Sequence, residues 1–310
     1  MSDDATAGAP PSGLVRGRPS REGIVLLASL TLFWGVNWPA MKLAVAGIDP
    51  WTFRVLCLAV GAAGLLGWAR ATGHRLSIPA ADRGPLVLAS LFNVTGWHLG
   101  TAFGLLFMGA GRASIIAFTM PVWASLFGML FLGERLTRAR IAGLALGIAG
   151  LGVLLVPELG RIGASPWGAL FMLGAAASWA GGTVAVKARR WSLETAALSG
   201  WQLVLGGIPV LVGFLLLGRP GTLLTAPWDS LLGALYAMLI PMIYCYWAWF
   251  RIVAIFPANL AAIGTLAIPV IGVFSSALVT GERVGPGEVA GLLLVVAALA
   301  LVLIVPARKA

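Results

Sequence analysis

Charge is scarce in this chain. Asp, Glu, Lys and Arg together make up 10% of its 310 residues, against roughly a quarter in a soluble globular domain. That leaves too little polar surface to cover a 32.1 kDa globule in water. Cysteine is nearly absent: Cys57 and Cys245 lie in apolar stretches, where such residues act as small packing groups, so a disulfide-stapled secreted fold is excluded. Histidine is equally rare. His74 sits in a basic loop, His98 lies inside an apolar run, and there is no H-E-x-x-H, Cys/His metal cluster, P-loop or G-x-S-x-G. An intramembrane enzyme therefore lacks its usual machinery, no cofactor or metal is implied, and direct ATP hydrolysis is excluded. An intramembrane enzyme, a channel and a non-transporting receptor or structural role are the alternatives to transport.

What is abundant is hydrophobicity: 59% of the residues are apolar, with a mean hydropathy of +0.95. A hydrocarbon core about 30 Å thick needs about 20 such residues in a helix. Ten runs qualify, at 23–41, 51–69, 85–107, 113–133, 141–157, 167–186, 195–218, 230–250, 256–280 and 289–305. They lack the polar–apolar alternation of barrel strands. The fold class expected is an all-α membrane protein of ten transmembrane helices. Residues 1–22, rich in Pro, Gly, Ser and Arg, read as a disordered cytoplasmic tail without the pattern of a signal peptide.

The net charge of +10 does not point to nucleic acid, because the basic residues fall in short segments between the runs. Arg16, Arg18, Arg21, Arg70, Arg75, Arg83, Arg135, Arg138, Arg140, Lys187, Arg189, Arg190, Arg251, Arg308 and Lys309 share one side. Only Lys42, Arg54, Arg112, Arg161, Arg219 and Arg283 fall on the other. The positive-inside rule then places both termini in the cytoplasm and the chain, multi-pass, in the inner membrane, with lipid as its surroundings.

The two halves resemble each other. Trp34, Lys42 and Asp49 recur as Trp179, Lys187 and Glu194, each 145 positions later. Pro121, Gly133, Glu134, Arg135 and Gly143 recur as Pro269, Gly281, Glu282, Arg283 and Gly291, each 148 positions later. Two constant offsets separated by a three-residue gap mark a repeat, with expected units 23–158 and 159–306. Five helices per unit is an odd number, so the second unit enters the membrane upside-down. Inverted repeats suit a transporter whose solute sits between them near the midplane.

Several segments carry a family resemblance. LFWGVNWPAMKLAV, DPWTFR and AFTMPVWASLFGMLFLGERLTRARIAGLALGIAGLGVLLV, echoed by LAIPVIGVFSSALVTGERVGPGEVAGLLLVVAALALVLIV, resemble the EamA family of the drug/metabolite transporter superfamily. The likeness spans roughly residues 23–306. It implies ten helices around a central cavity and efflux of small metabolites, amino acids or drugs. Gly182 stands where the first half has Asn37, a departure from symmetry in the cavity region.

Polar and aromatic residues at helical spacing nominate the cavity wall. These are Trp34, Asn37 and Trp38 in the first run; Asn93, Trp97, His98 and Thr101 in the third; Trp179 and Thr183 in the sixth; and Tyr236, Tyr244 and Trp247 in the eighth. Two readings stand for them: a solute-facing wall, or interhelical hydrogen bonds worth about 0.6 kcal/mol each. Pro121 and Pro269, mid-run and matched, read as paired hinges or as tolerated kinks. Lys42 and Arg54, with Asp49 between them, read as a snorkelling pair near the headgroups or as an electropositive group meeting a substrate carboxylate. All eleven carboxylates fall in the tail, in loops or at run ends. A cavity without a fixed acid suits a small neutral or zwitterionic solute, amino-acid-like or drug-like.

Overall fold

Pro50 follows Asp49, and that pair starts the second helix in the expected way. The Asp49 carboxylate accepts from the Thr52 backbone N–H at 2.9 Å, while the proline occupies a position whose N–H needs no partner. Such signals recur along the computed structural model, which describes residues 21–132, 138–159, 166–248, 252 and 267–304. The helices are α1 (Arg21–Gly47), α2 (Pro50–Ala71), α3 (Ala80–Ser90), α4 (Trp97–Phe107), α5 (Ala110–Ala117), α6 (Met120–Leu132) and α7 (Arg138–Leu159). They continue with α8 (Trp167–Lys187), α9 (Thr195–Leu217), the single turn α10 (Thr222–Thr225), α11 (Trp228–Leu239), α12 (Ala267–Thr280) and α13 (Pro286–Ile304). Wide π-helical turns at Leu91–Gly96 and Ile240–Cys245 join α3 to α4 and prolong α11.

No strand occurs among the described residues. Seven stretches there are long and apolar enough to cross a membrane: Arg21–Gly47, Pro50–Ala71, Ala80–Phe107, Ala110–Phe131, Trp167–Val186, Thr195–Leu217 and Trp228–Ala248. Ile141–Gly150, Ala267–Thr280 and Pro286–Ala298 are shorter apolar helices. This is an all-helical, multi-pass membrane protein. Residues 1–20 of the expected tail, the Gly133–Glu134–Arg135 turn and residues 256–266 lie outside the described residues, while Arg21 and Glu22, expected in the tail, begin α1.

Neighbouring spans meet through small residues, as expected where lipid already solvates apolar side chains and close backbone packing decides association. A Cβ on Gly35 would lie 2.4 Å from Ile271, one on Gly233 2.5 Å from the Ala40 carbonyl, and one on Gly200 2.7 Å from Leu66. The main packings are α1 on α11 and α12, α8 on α4 and α6, α2 on α9, and α7 on α13.

Pro39 and Pro209 lie inside continuous helices, whereas Pro121 and Pro241 lie where the helix is interrupted. The fourth span breaks between α5 and α6, with Thr119 N–H turning back to the Ile116 carbonyl at 3.1 Å. Pro121 is the second residue of α6. It opens a helix there, where its missing N–H is tolerated. Pro269 is buried near the start of the described part of α12. Pro241 sits in the second π-helical turn, which absorbs the missing donor by widening.

Candidate functional site

The π-helical turn Leu91–Gly96 is the local feature from which the site grows. Backbone groups in such a turn leave the regular ladder, and neighbours take them up. Ser178 Oγ donates to the Phe92 carbonyl at 2.8 Å, and Thr95 Oγ1 reaches the Gly206 carbonyl at 2.6 Å. α8 and α9 thereby hold the turn from two sides. Asn93, within it, donates Nδ2–H to Gln202 Oε1 on α9 at 2.9 Å. A Cβ at Gly182 would come within 2.1 Å of Asn93 Oδ1. The glycine that breaks the repeat pattern is therefore what makes room for the amide.

Directly after the turn, Trp97 enters a row of three indoles from three helices. Its ring centroid lies 5.0 Å from that of Trp179 and 6.5 Å from that of Trp38, the latter edge-to-face. Trp38 is buried and Trp179 half-buried. Next to Trp97, His98 is buried, and neither ring nitrogen meets a protein partner. Asn37 Oδ1, Asn93 Oδ1 and Trp123 Nε1 share that condition. Each of these buried atoms keeps a hydrogen-bonding capacity that no protein group takes up.

Arg54 belongs to the same neighbourhood, which corrects the snorkelling expectation. It is 2% exposed, and donates Nε–H to the His98 carbonyl at 2.8 Å and Nη2–H to Thr101 Oγ1 at 2.7 Å. It also lies 4.8 Å above the Phe53 ring and touches Met41 Sδ at 3.3 Å. The guanidinium stays inside because carbonyl, hydroxyl, sulfur and ring face together replace water. Thr101, fully buried, is a hub that also donates toward the Trp97 carbonyl at 2.8 Å. Lys42 likewise turns inward, donating to the Leu105 and Met108 carbonyls at 2.5 and 3.0 Å.

The remaining nominated residues lie elsewhere. Tyr244 hydrogen-bonds Ser29 at 2.7 Å and meets Phe33 edge-on at 5.5 Å, while Trp247 meets Trp68 at 6.3 Å. Trp34 meets Tyr246 at 6.5 Å, beside this second aromatic group. Tyr236 donates its hydroxyl to the Phe33 carbonyl at 2.9 Å and lines an apolar groove of about 530 Å³ between α1 and α11, with Val36, Pro39 and Leu232. Thr183 is exposed and bonds its own helix at Trp179. The structure thus brings Trp38, Trp97, His98, Thr101 and Trp179 together with Arg54, and pairs Asn93 with Gln202 in the turn that precedes Trp97. Gln202 was legible as an amide inside an apolar run; the burial of Arg54 was not, because its distance from the run's end resembles that of a snorkelling residue. Among the described residues no cluster of His, Cys, Asp and Glu suits a metal.

Comparison with known proteins agrees with this architecture. The model of the EamA-like transporter family matches residues 21–156 and again 166–304. The chain is 32% identical over 286 residues to YvbV, an uncharacterized transporter of Bacillus subtilis (strain 168), across 92% of each chain. It is 28% identical over 299 residues to a probable amino-acid metabolite efflux pump of Salmonella typhimurium (strain LT2), across 90% of this chain and 94% of that one. A crystal structure of 21% sequence identity aligns with a TM-score of 0.62, covering 90% of this chain and 95% of the other, a likeness of fold alone. Two matches of one family model, together spanning nearly all of the chain, make it a member of the EamA-like transporter family.

Proposed function

We propose that this membrane transporter exports small neutral or zwitterionic solutes, amino-acid-like or drug-like, across the inner membrane by alternating access between two inverted five-helix repeats, residues 23–158 and 159–306. The observation that carries the solute class is the indole row Trp38–Trp97–Trp179 beside the Asn93–Gln202 pair and the unpartnered His98 ring. Indole faces receive apolar or aromatic bodies, while amide and imidazole groups receive polar ends. Among the described residues no Asp or Glu takes part in this network, so a polycation would find nothing there to offset its desolvation. A relative's description as a probable amino-acid metabolite efflux pump supports the same class and direction.

The repeat reading is supported by an exchange of packings. Replacing each element of one half by its counterpart turns α1 on α11 into α8 on the α3–α4 span, and α1 on α12 into α8 on the α5–α6 span. It leaves α2 on α9 and α7 on α13 unchanged. Asp49 and Glu194, matched in sequence, both cap the following long helix. The break before Pro121 supports flexing of the fourth span near the site, with Pro269 as its counterpart.

Proteoliposomes of the purified protein, loaded with labelled neutral, acidic and polycationic amino-acid derivatives, test the reading. Release of the neutral and zwitterionic members, above that of protein-free vesicles, is expected. Movement of only the acidic or polycationic members would overturn the solute class.

A further inference from the structure

The short connection between α4 and α5 is gripped by two opposite charges. Glu282, in the loop after α12, accepts from the backbone N–H of Ala110 at 2.7 Å and of Gly111 at 3.0 Å, the first free donors of α5. Lys42 of α1 donates to the Leu105 and Met108 carbonyls, the last free acceptors of α4. Each charge thus complements the helix end that it touches. The loop is shaped for the carboxylate: a Cβ on Gly109 would lie 2.6 Å from Glu282 Oε2 and one on Gly111 3.3 Å from it. The next residue, Arg112, pairs with Glu288 of α13, and the Glu288 carboxylate also accepts from Gly285 N–H at 3.0 Å.

These links cross between the two halves that the family model matches separately, joining residues 110–112 of the first to 282–288 of the second. Below them lies Ser276, fully buried, its Cβ 3.6 Å from where a side chain on Gly111 would begin. We infer that Glu282 is the positioning residue that holds this end of the transporter shut. Its carboxylate is the latch of the closed state, and Lys42 holds the α4 end in register for it. Resting on the alternating-access reading, the inference adds which contact must break for this end to open. Hydrogen bonds to a charged group are stronger than neutral ones, so loss of the charge alone shifts the equilibrium toward the open state while the side-chain volume is kept.

The test is sided accessibility of a single thiol, which needs no knowledge of the solute. With Cys57→Ala and Cys245→Ala in place, Ser276→Cys is exposed to a membrane-impermeant maleimide in intact cells and in inside-out vesicles. In the otherwise native chain it should react slowly from both sides. Adding Glu282→Gln should raise the rate tenfold or more from the side of the 108–112 turn and leave the other side unchanged. Lys42→Gln should give a smaller increase on the same side, and carries the comparison if the Glu282 variant is lost from the membrane. Unchanged rates with both variants in folded, membrane-inserted protein would show the cap to be structural only and overturn the inference. Thiol reaction that responds while no solute moves in proteoliposomes would instead indict the transport reading.

Discussion

The Arg54 guanidinium donates to Thr101 Oγ1 at 2.7 Å and, through Nε, to the His98 carbonyl at 2.8 Å, locking the turn of α4 that carries Trp97 and His98. Hydrogen bonds from a charged donor are worth about 1.5–3 kcal/mol each. Arg54→Gln should therefore lower solute turnover by about tenfold or more and reduce thermal stability in detergent. Arg54→Lys should rescue little, because an ammonium cannot present the planar fork that reaches both acceptors. Equal activity of the lysine variant and the native protein would show that charge alone matters here.

Trp97 joins its two neighbours, so its replacement tests the site directly. Aromatic pairs add about 0.5–1.5 kcal/mol beyond burial. Trp97→Ala should raise the KM for an aromatic solute about tenfold or more, and Trp97→Phe distinctly less. Indole fluorescence should respond to solute in the native protein and lose most of that response in the alanine variant.

Gly182 offers a steric test. An added methyl group would meet Asn93 Oδ1 at 2.1 Å, Cγ at 2.4 Å and the backbone nitrogen at 2.7 Å. Overpacking of this kind costs about 1–3 kcal/mol, so Gly182→Ala should lower the melting temperature in detergent and disturb the Asn93–Gln202 bond. Gly174, with nothing within 4 Å of its Cβ position, is the control. Gly174→Ala should leave both stability and transport close to native.

Pro121→Ala and Pro269→Ala should each slow transport while leaving insertion and solute binding largely intact. A proline at the break before α6 discourages the two short helices from merging into one straight rod. Initial rates in proteoliposomes alongside equilibrium binding separate the two effects. Native rates in both variants would reduce the prolines to packing features.

Dependence on a pH gradient should be modest at most, and His98→Gln should remove it. A proton-coupled transporter ordinarily keeps an ionisable group within the membrane, and His98, next to Trp97 in sequence, is buried with both ring nitrogens unmet. Uptake with and without an imposed gradient decides this. Strong proton-driven accumulation by the glutamine variant would place the coupling residue elsewhere.

Membrane residence and helical class were already determined by the sequence, because lipid demands long apolar runs whose backbone bonds are all internal. The repeat offsets were equally legible, since Asp49 and Glu194 cap helices by purely local geometry. Trp38, Trp97 and Trp179 could be nominated from helical spacing, but spacing does not say which helix faces which. Tyr236 and Tyr244 had the same pattern and went to a groove and to a Ser29 contact. Only tertiary structure decided the inward course of Arg54 and Lys42. A long basic side chain near the end of a helix reaches outward to headgroups or inward to carbonyls with equal ease, until neighbouring helices put His98, Thr101, Leu105 and Met108 within its reach.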